Sequence, residues 1–444
     1  MKKITIGNNF ILIILISSFL IKIILSNNIN LPNFVDAQAY STAGYEFVNF
    51  FKIEKNIIMP LYSVVAYYNQ KFFSFYFLNI IFSTINIYLV FLITKKIFNS
   101  NTTSYISSIL MAFYPFNIFY SITGFSETFF LTLMISGLYF VYEKKIFISS
   151  FFFVLSILTR PVGDLIFPII IVYFSIFIFK QTKKFILLNL IKYFLIYIIL
   201  MSPWWYHNYL KYGEFIRLNL GSNFTLFVGN NPLNKTGGGV IIDDDDLRKF
   251  PERYSQTVKD YDFEVFKGKP GFEIKVDYVD KNGDLTSYQL GYEKNEIDPI
   301  LGKEIGKVRR TKGVEYALIR DNYFRQAALD YIKKNPIKFF ENMFIKFKRF
   351  WSIVPNSHEF RKNKFYTLLS AISVGFLIFF SILGFIKHKN FKNLNLIPLY
   401  ILLIYVNFVH LILISSIRYR FIVEWILIIL ASYFLSCIYY KVKK

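Results

Sequence analysis

The chain is 444 residues long, 54% hydrophobic and 20% aromatic, with a formal net charge of +22 and one cysteine. Apolar windows long enough to cross a bilayer recur from end to end, which excludes a soluble globular enzyme and predicts a polytopic α-helical membrane protein. Most of the excess Lys and Arg lies in short tracts between apolar runs, as the positive-inside rule expects, so the basic balance does not point to nucleic acid. Cys437 stands alone in the last apolar run and supplies neither an intrachain disulfide nor a thiolate cluster for a metal.

Met1-Lys2-Lys3 followed by an apolar run at 10–25 resembles a signal peptide. No small-residue cleavage site follows directly, because Ala37-Gln38-Ala39 lies too far downstream, and the run is read as a retained first span. The spans are predicted at roughly 10–26, 72–94, 103–121, 125–142, 146–160, 161–179, 185–202, 365–386, 395–416 and 421–440, about ten in all. With the N-terminus inside, the lysine tracts from Lys2/Lys3 and Lys95/Lys96 through Lys387/Lys389/Lys392 to Lys441/Lys443/Lys444 share one side with a single acid, Glu143. That bias places both termini in the cytoplasm.

Two long segments then face outward, 27–71 and 203–364. The predicted organisation is a transmembrane module at 1–202, an extracytoplasmic α+β domain at 203–364 and C-terminal transmembrane helices at 365–444. The outer domain opens with Gly237-Gly238-Gly239 and an acid run, Asp243 to Asp246. FEIKVDYV and LTSYQLGY alternate around Asp280-Lys281-Asn282-Gly283-Asp284 as a hairpin would. VEYALIRDNYFRQAALDYIKK and, from Pro336, IKFFENMFIKFKRFW read as helices. The second puts Phe340, Phe344, Phe347 and Trp351 on one stripe with Lys338, Lys346, Lys348 and Arg349 nearby, the pattern of a helix lying on the membrane surface.

On this topology the unusual charges gather at the outer face. HLILISSIRYRFIVEW sets Arg418 and Arg420 between two apolar runs, Arg160 and Asp164 lie in LTRPVGDLIFP, Glu127 in FYSITGFSETFF and Asp36 in FVDAQAYSTAGYEF. Taken singly, each reads as a loop residue among lipid headgroups. Their convergence at one membrane level, with both signs, favours a site. Asp36, Tyr40 and Gly44 recur at four-residue spacing and share one helix face. A carboxylate there can take a proton from a hydroxyl nucleophile, though it also reads as a helix N-cap or surface acid. Arginines at the headgroup level suit phosphate, whose oxygens a guanidinium holds in parallel charge-assisted bonds.

Several stretches, in order along most of the chain, resemble the C-type (GT-C) membrane glycosyltransferases. The bacterial branch related to protein O-mannosyltransferases and aminoarabinose transferases is the most similar. FVDAQAYSTAGYEF is similar to that family's first-loop Asp-x3-Tyr pattern, and MPLYSVVAYY to its Pro-Leu-Tyr stretch. YPFNIFYSITGFSETFF looks like its Pro…Ser-Glu segment and LTRPVGDLIFP like its Arg-Pro-x-Gly segment. SPWWYHNYLKYGEFIRLNLGSNFTLFVGNNP is similar to the signature that opens its outer domain, ALDYIKKNPIKFF to its helix-Asn-Pro pattern, and HLILISSIRYRFIVEW to its Arg-Tyr-Arg segment. The chain departs from the pattern at His207, where the family has Arg. It departs again at Ile422-Val423-Glu424, where a proline is usual, and in the insertion at about 233–312.

The resemblance implies an inverting transfer of a sugar from a polyprenyl-phosphate carrier to an acceptor hydroxyl, on the outer side of a bacterial inner membrane. The product would be a modified cell-envelope glycan, lipid (lipopolysaccharide included) or protein. Carried over residue by residue, Asp36 would be the general base, and Glu127 would position the acceptor or a metal ion. Tyr40 would contact substrate, and Arg160, Arg418 and Arg420 would hold the donor phosphate. Tyr419 would pack on sugar or isoprenoid, and Lys55 is a further phosphate ligand or an exposed loop lysine. Trp204 and Trp205 read as an interface belt beside His207 and Asn208, and His410 as a hydrogen-bonding residue within the bundle. No cofactor is required by these residues; Asp36 and Glu127 leave a divalent cation open. A transporter or flippase of a lipid-linked sugar would place its charges nearer mid-bilayer, and a surface-polysaccharide polymerase or ligase would share the carrier chemistry. A receptor would explain the outer domain but not the acid–base set.

Overall fold

A computed structural model describes residues 5–29, 34–53, 55, 57–74, 76–231, 234–238, 274–279, 285–290, 296–297, 304–305, 314–387 and 393–442. In a bilayer every backbone polar group needs an internal partner, so apolar runs become helices. Among the described residues five are long and apolar enough to cross: Asn9–Asn28, Phe77–Phe98, Lys183–Tyr212, Lys364–Lys387 and Ile417–Val442. Glu127–Tyr142, Ile146–Thr159, Ile166–Ile178 and Ile397–Ile412 are shorter apolar helices. The chain is thus a helical, multi-pass membrane protein.

The span expected at 103–121 is instead two helices, Asn101–Phe113 and Pro115–Ser121. Pro115 has no N–H for the carbonyl one turn back and its ring crowds that carbonyl, so the helix breaks before it. Side chains replace the lost backbone bonds: Asn117 Nδ2 donates to Met111 O at 2.9 Å and Ser18 Oγ to Ala112 O at 3.3 Å. Beside the break, Lys22 is fully buried in the first helix and donates to Ser83 Oγ at 2.6 Å. Ser83 in turn donates to Asn117 Oδ1 at 3.0 Å.

Contacts divide the chain into two compact units. The larger comprises Met1–His207, Lys348–His410 and Ser416–Lys444. Its centre is the last helix, buried almost without a break from Arg420 to Ser432 and packed against Lys364–Lys387, Asn101–Phe113 and Glu127–Tyr142. The first-loop helix, Val35–Phe50, lies along Pro60–Phe72. Gly44 makes that approach possible, since a Cβ there would sit 1.9 Å from Ser63 O. Tyr62, Ala66, Phe129 and Leu133 form the apolar floor beneath, with Tyr40, Leu61, Phe82 and Phe152 packed on it. His207 is buried here: it stacks on Trp204 at 4.6 Å and its Nε2 accepts the Ile53 N–H at 3.1 Å.

The smaller unit comprises Asn208–Phe347 and Leu411–Ser415. Asn208 Nδ2 donates to Ile216 O and Leu218 O at 2.9 and 3.2 Å, closing the turn that follows it. Helices Val314–Lys334 and Pro336–Phe350 are present, and Ile337, Phe340, Phe344 and Phe347 are exposed. Lys346 departs from the cationic flank expected for that helix. It is fully buried, its Nζ donating to Asn230 Oδ1 at 3.0 Å and Ile412 O at 3.1 Å. Burial, with no carboxylate against it among the described residues, pushes its ammonium down to about 7. Within the insertion the described backbone pairs Ile274–Val279 with Leu285–Leu290, antiparallel, and Glu296–Ile297 with Glu304–Ile305. Gly239, Asp243 to Asp246, the turn at 280–284 and most of the 233–312 insertion lie outside the described residues, as do Lys2, Lys3, Lys389, Lys392, Lys443 and Lys444.

Candidate functional site

Four helix ends in the larger unit each deliver one charged side chain to the same place. Asp36 sits in the first turn of Val35–Phe50, Glu127 opens Glu127–Tyr142, and Arg418 lies in the first turn of Ile417–Val442. Arg160 ends Ile146–Thr159 in extended backbone, φ −148° and ψ 127°. Pro161 after it disfavours a further helical residue, so the proline stops the helix and turns the arginine's backbone outward.

Glu127 is the hub. Its carboxylate is fully buried, against 17% exposure for Arg160, 23% for Arg418 and 53% for Asp36. A buried carboxylate is tolerated only when paired, and both its oxygens are. Arg418 Nε bonds Glu127 Oε1, and Arg418 Nη2 reaches Oε2 at 3.4 Å. Arg160 Nη1 reaches Oε1 at 2.8 Å. The third nitrogen of the Arg418 guanidinium, Nη1, bonds Asp36 Oδ2. The Phe125 ring lies 4.1 Å from the Arg418 guanidinium carbon, a cation–π contact that replaces lost hydration.

Around this core the contacts are specific. Arg160 Nη1 also donates to Ser126 Oγ at 3.0 Å, and Ser126 to Tyr40 Oη at 3.1 Å. Tyr40 meets Tyr62 edge-on with ring centroids 5.0 Å apart. Asn79 Nδ2 donates to Tyr62 Oη and to Phe125 O, both at 2.9 Å, fixing the 125–127 corner. Tyr419 lies 5.9 Å from the Arg160 guanidinium and stacks parallel to His410 at 4.3 Å. Two acids and two arginines make the cluster neutral. Arg160 Nε and Nη2 and Asp36 Oδ1 have no hydrogen-bond partner among the described residues.

The structure therefore brings Asp36, Tyr40, Glu127, Arg160, Arg418 and Tyr419 together. It does not bring Arg420 to them. Arg420 is fully buried, its Nε on Glu424 Oε1 at 2.6 Å and its Nη1 on Phe350 O and Ser352 O at 2.8 and 2.7 Å. Lys55 is exposed in the loop before Pro60–Phe72, and Asp164 accepts the Tyr197 hydroxyl at 2.7 Å. Ser126, Phe125, Tyr62 and Asn79 were not singled out from the sequence. A buried asparagine within an apolar span was the available signal for Asn79. Ser126 and Tyr62 lie in FYSITGFSETFF and MPLYSVVAYY, where an uncharged side chain carries no comparable signal.

A divalent cation does not fit the cluster. Each carboxylate already faces a guanidinium, and no group of three His, Cys, Asp or Glu side chains suited to a metal occurs among the described residues.

Fold and site together define a polytopic helical membrane protein with a mixed-charge cluster built on helix ends. No family model matches the chain, and no curated protein matches it. Among solved structures it is similar to the oligosaccharyltransferase of Archaeoglobus fulgidus in complex with zinc and sulfate, with a TM-score of 0.48 and 14% identity. The match covers 97% of this chain and 49% of that one, so this chain spans about half the length of its counterpart.

Proposed function

We propose that the protein is a C-type membrane glycosyltransferase. It moves a sugar, with inversion, from a polyprenyl-phosphate carrier to an acceptor hydroxyl at the outer face of a bacterial inner membrane. The 203–364 segment, an extracytoplasmic α+β domain, lies on that side. The observation that carries this reading is the convergence of Asp36, Glu127, Arg160 and Arg418 from four separate connections into one hydrogen-bonded cluster.

The division of labour follows from exposure. Asp36 is the accessible carboxylate: Arg418 steadies Oδ2, leaving Oδ1 to take the proton of the acceptor hydroxyl. The acceptor oxygen bonds to the anomeric carbon as its bond to the carrier phosphate breaks, and the electron pair leaves with the phosphate. Arg160 offers its two unpartnered nitrogens to that phosphate, and Arg418 adds a second positive charge beside it. Such a leaving group needs little acid help, so base and alignment carry most of the remaining work. Glu127 orients both arginines rather than meeting the acceptor. Arg420 anchors its helix instead of gripping the donor. The acceptor is a glycan, lipid or protein hydroxyl presented at the membrane surface.

The test is transfer from a panel of radiolabelled polyprenyl-phosphate sugars in membranes holding equal amounts of wild type or Asp36→Asn. Wild-type transfer that falls by about 10²-fold or more in the variant supports the reading. Equal transfer by both removes Asp36 from the mechanism, and no transfer by wild type across the panel overturns the proposal.

A further inference from the structure

Ser126 has no part in the mechanism above, yet it joins Arg160, which does, to Tyr40, which the sequence resemblance places against substrate. It is fully buried, and its oxygen accepts from Arg160 Nη1 at 3.0 Å while its hydroxyl donates to Tyr40 Oη at 3.1 Å. The first link has only one possible direction, because a guanidinium has donors and no acceptor. Ser126 then passes its single proton to Tyr40, whose oxygen accepts it. Tyr40 is left with a hydroxyl proton that no described residue accepts. Its ring is held edge-on against Tyr62, itself tied to Asn79, so the hydroxyl has a fixed seat. A hydrogen-bond chain that begins at a positive charge polarises each link after it, making the last hydroxyl a stronger donor.

We infer that Tyr40 donates a hydrogen bond to the phosphate of the lipid carrier and that Ser126 is the residue that positions it; this rests on the reading of the cluster as a phosphate site. The chemistry favours a phosphate oxygen over a sugar hydroxyl. Tyr40 Oη already accepts from Ser126 and turns outward as a donor. The two unpartnered nitrogens of Arg160, at the start of the chain, are donors only. A set made up of donors matches a ligand whose exposed atoms all accept. A hydroxyl would bring a proton that these groups have no means to receive.

The experiment is equilibrium binding of a short-chain polyprenyl phosphate, with the matching polyprenol as reference. It uses the purified full-length wild type, Tyr40→Phe, Ser126→Ala, Ser126→Thr and the Tyr40→Phe/Ser126→Ala double variant. Wild type should prefer the phosphate. Tyr40→Phe keeps the ring and should weaken phosphate binding about tenfold while leaving polyprenol binding unchanged. Ser126→Ala should weaken it about threefold, Ser126→Thr should restore it, and the double variant should be no weaker than Tyr40→Phe, as residues in one network behave. Should Ser126→Ala fail to fold, Tyr40→Phe and Ser126→Thr still decide. Tyr40→Phe binding phosphate as wild type does, or a Ser126→Ala loss that persists in full on the Tyr40→Phe background, overturns the inference alone. Wild type binding both ligands equally overturns the phosphate reading of the cluster and the inference with it.

Discussion

Arg418 and Arg420 stand two residues apart on one helix, roughly 200° around its axis from each other. Arg418 turns to a partly open cluster and shares two acids brought from distant parts of the chain, Asp36 and Glu127. Arg420 turns into the bundle, takes Glu424 from its own helix one turn on, and satisfies Phe350 O and Ser352 O. With Ile417 N donating to Asn356 Oδ1 at 2.7 Å, these bonds fasten the start of the helix to the segment at 350–356. The same side-chain type thus sits in two settings, one partly exposed and one fully buried. A charge that can still reach solvent or substrate is available for chemistry, whereas one wholly enclosed by protein partners fixes geometry.

The sharpest way to break that contrast is at Arg420. Arg420→Gln leaves Glu424 buried without its counter-ion and should cost about 3–5 kcal/mol of stability, read as a fall in melting temperature. Replacing both members, Arg420→Met with Glu424→Leu, should recover most of that loss, because a buried pair replaced together is close to neutral. A double variant as unstable as the single one would refute the anchoring role.

Arg418→Gln should reverse the pattern. Sugar transfer should drop about 10²- to 10³-fold, with a smaller fall in melting temperature than Arg420→Gln. Transfer near wild type in Arg418→Gln would assign its charge to packing alone. Gly44→Ala tests the scaffold beneath Asp36 and Tyr40. The added methyl has to displace Ser63 backbone, so a loss of about 1–3 kcal/mol is expected together with reduced transfer.

The smallest effect separates a buried cation with a carboxylate from one without. Among the described residues Lys346 has only neutral acceptors, and burial holds it near 7, below its ordinary value of 10.5. Between those two values the unfolded chain binds the extra proton, so stability should rise as pH increases from about 7 toward 10. Melting temperatures across that range should show the rise in wild type and a flatter profile in Lys346→Met. Parallel profiles would place the titration elsewhere.

Much of the larger unit was legible before any coordinates. Hydropathy located the long helices because the bilayer leaves an apolar run no other way to satisfy its backbone. The charges of the cluster stood out because charge is rare beside such runs, and the four-residue spacing of Asp36, Tyr40 and Gly44 gave their common face. The pairing was not legible, since nothing local says that Glu127 lies between Arg160 and Arg418. Arg420 carries a local signal of its own, since Glu424 four residues on marks a partner along the same helix face. Lys346 left no such mark. Its helix reads as a cationic, membrane-facing stripe, and only Asn230 and Ile412, far away in sequence, draw the lysine inside. The break at Tyr114 was signalled by Pro115, whose effect an apolar window averages away.

That break bears on the order in which the chain is assembled. Ala112 O, released by the proline, is received by Ser18 of the first helix, and Lys22 of the same helix closes the polar cluster alongside. A nascent chain emerges from its N-terminus, so the first helix is made before the segment that needs it. Removing that helix would strand a carbonyl in apolar surroundings, a penalty of a few kcal/mol. The run whose sequence resembles a leader thus supplies, through Ser18 and Lys22, polar partners that the broken element lacks within itself.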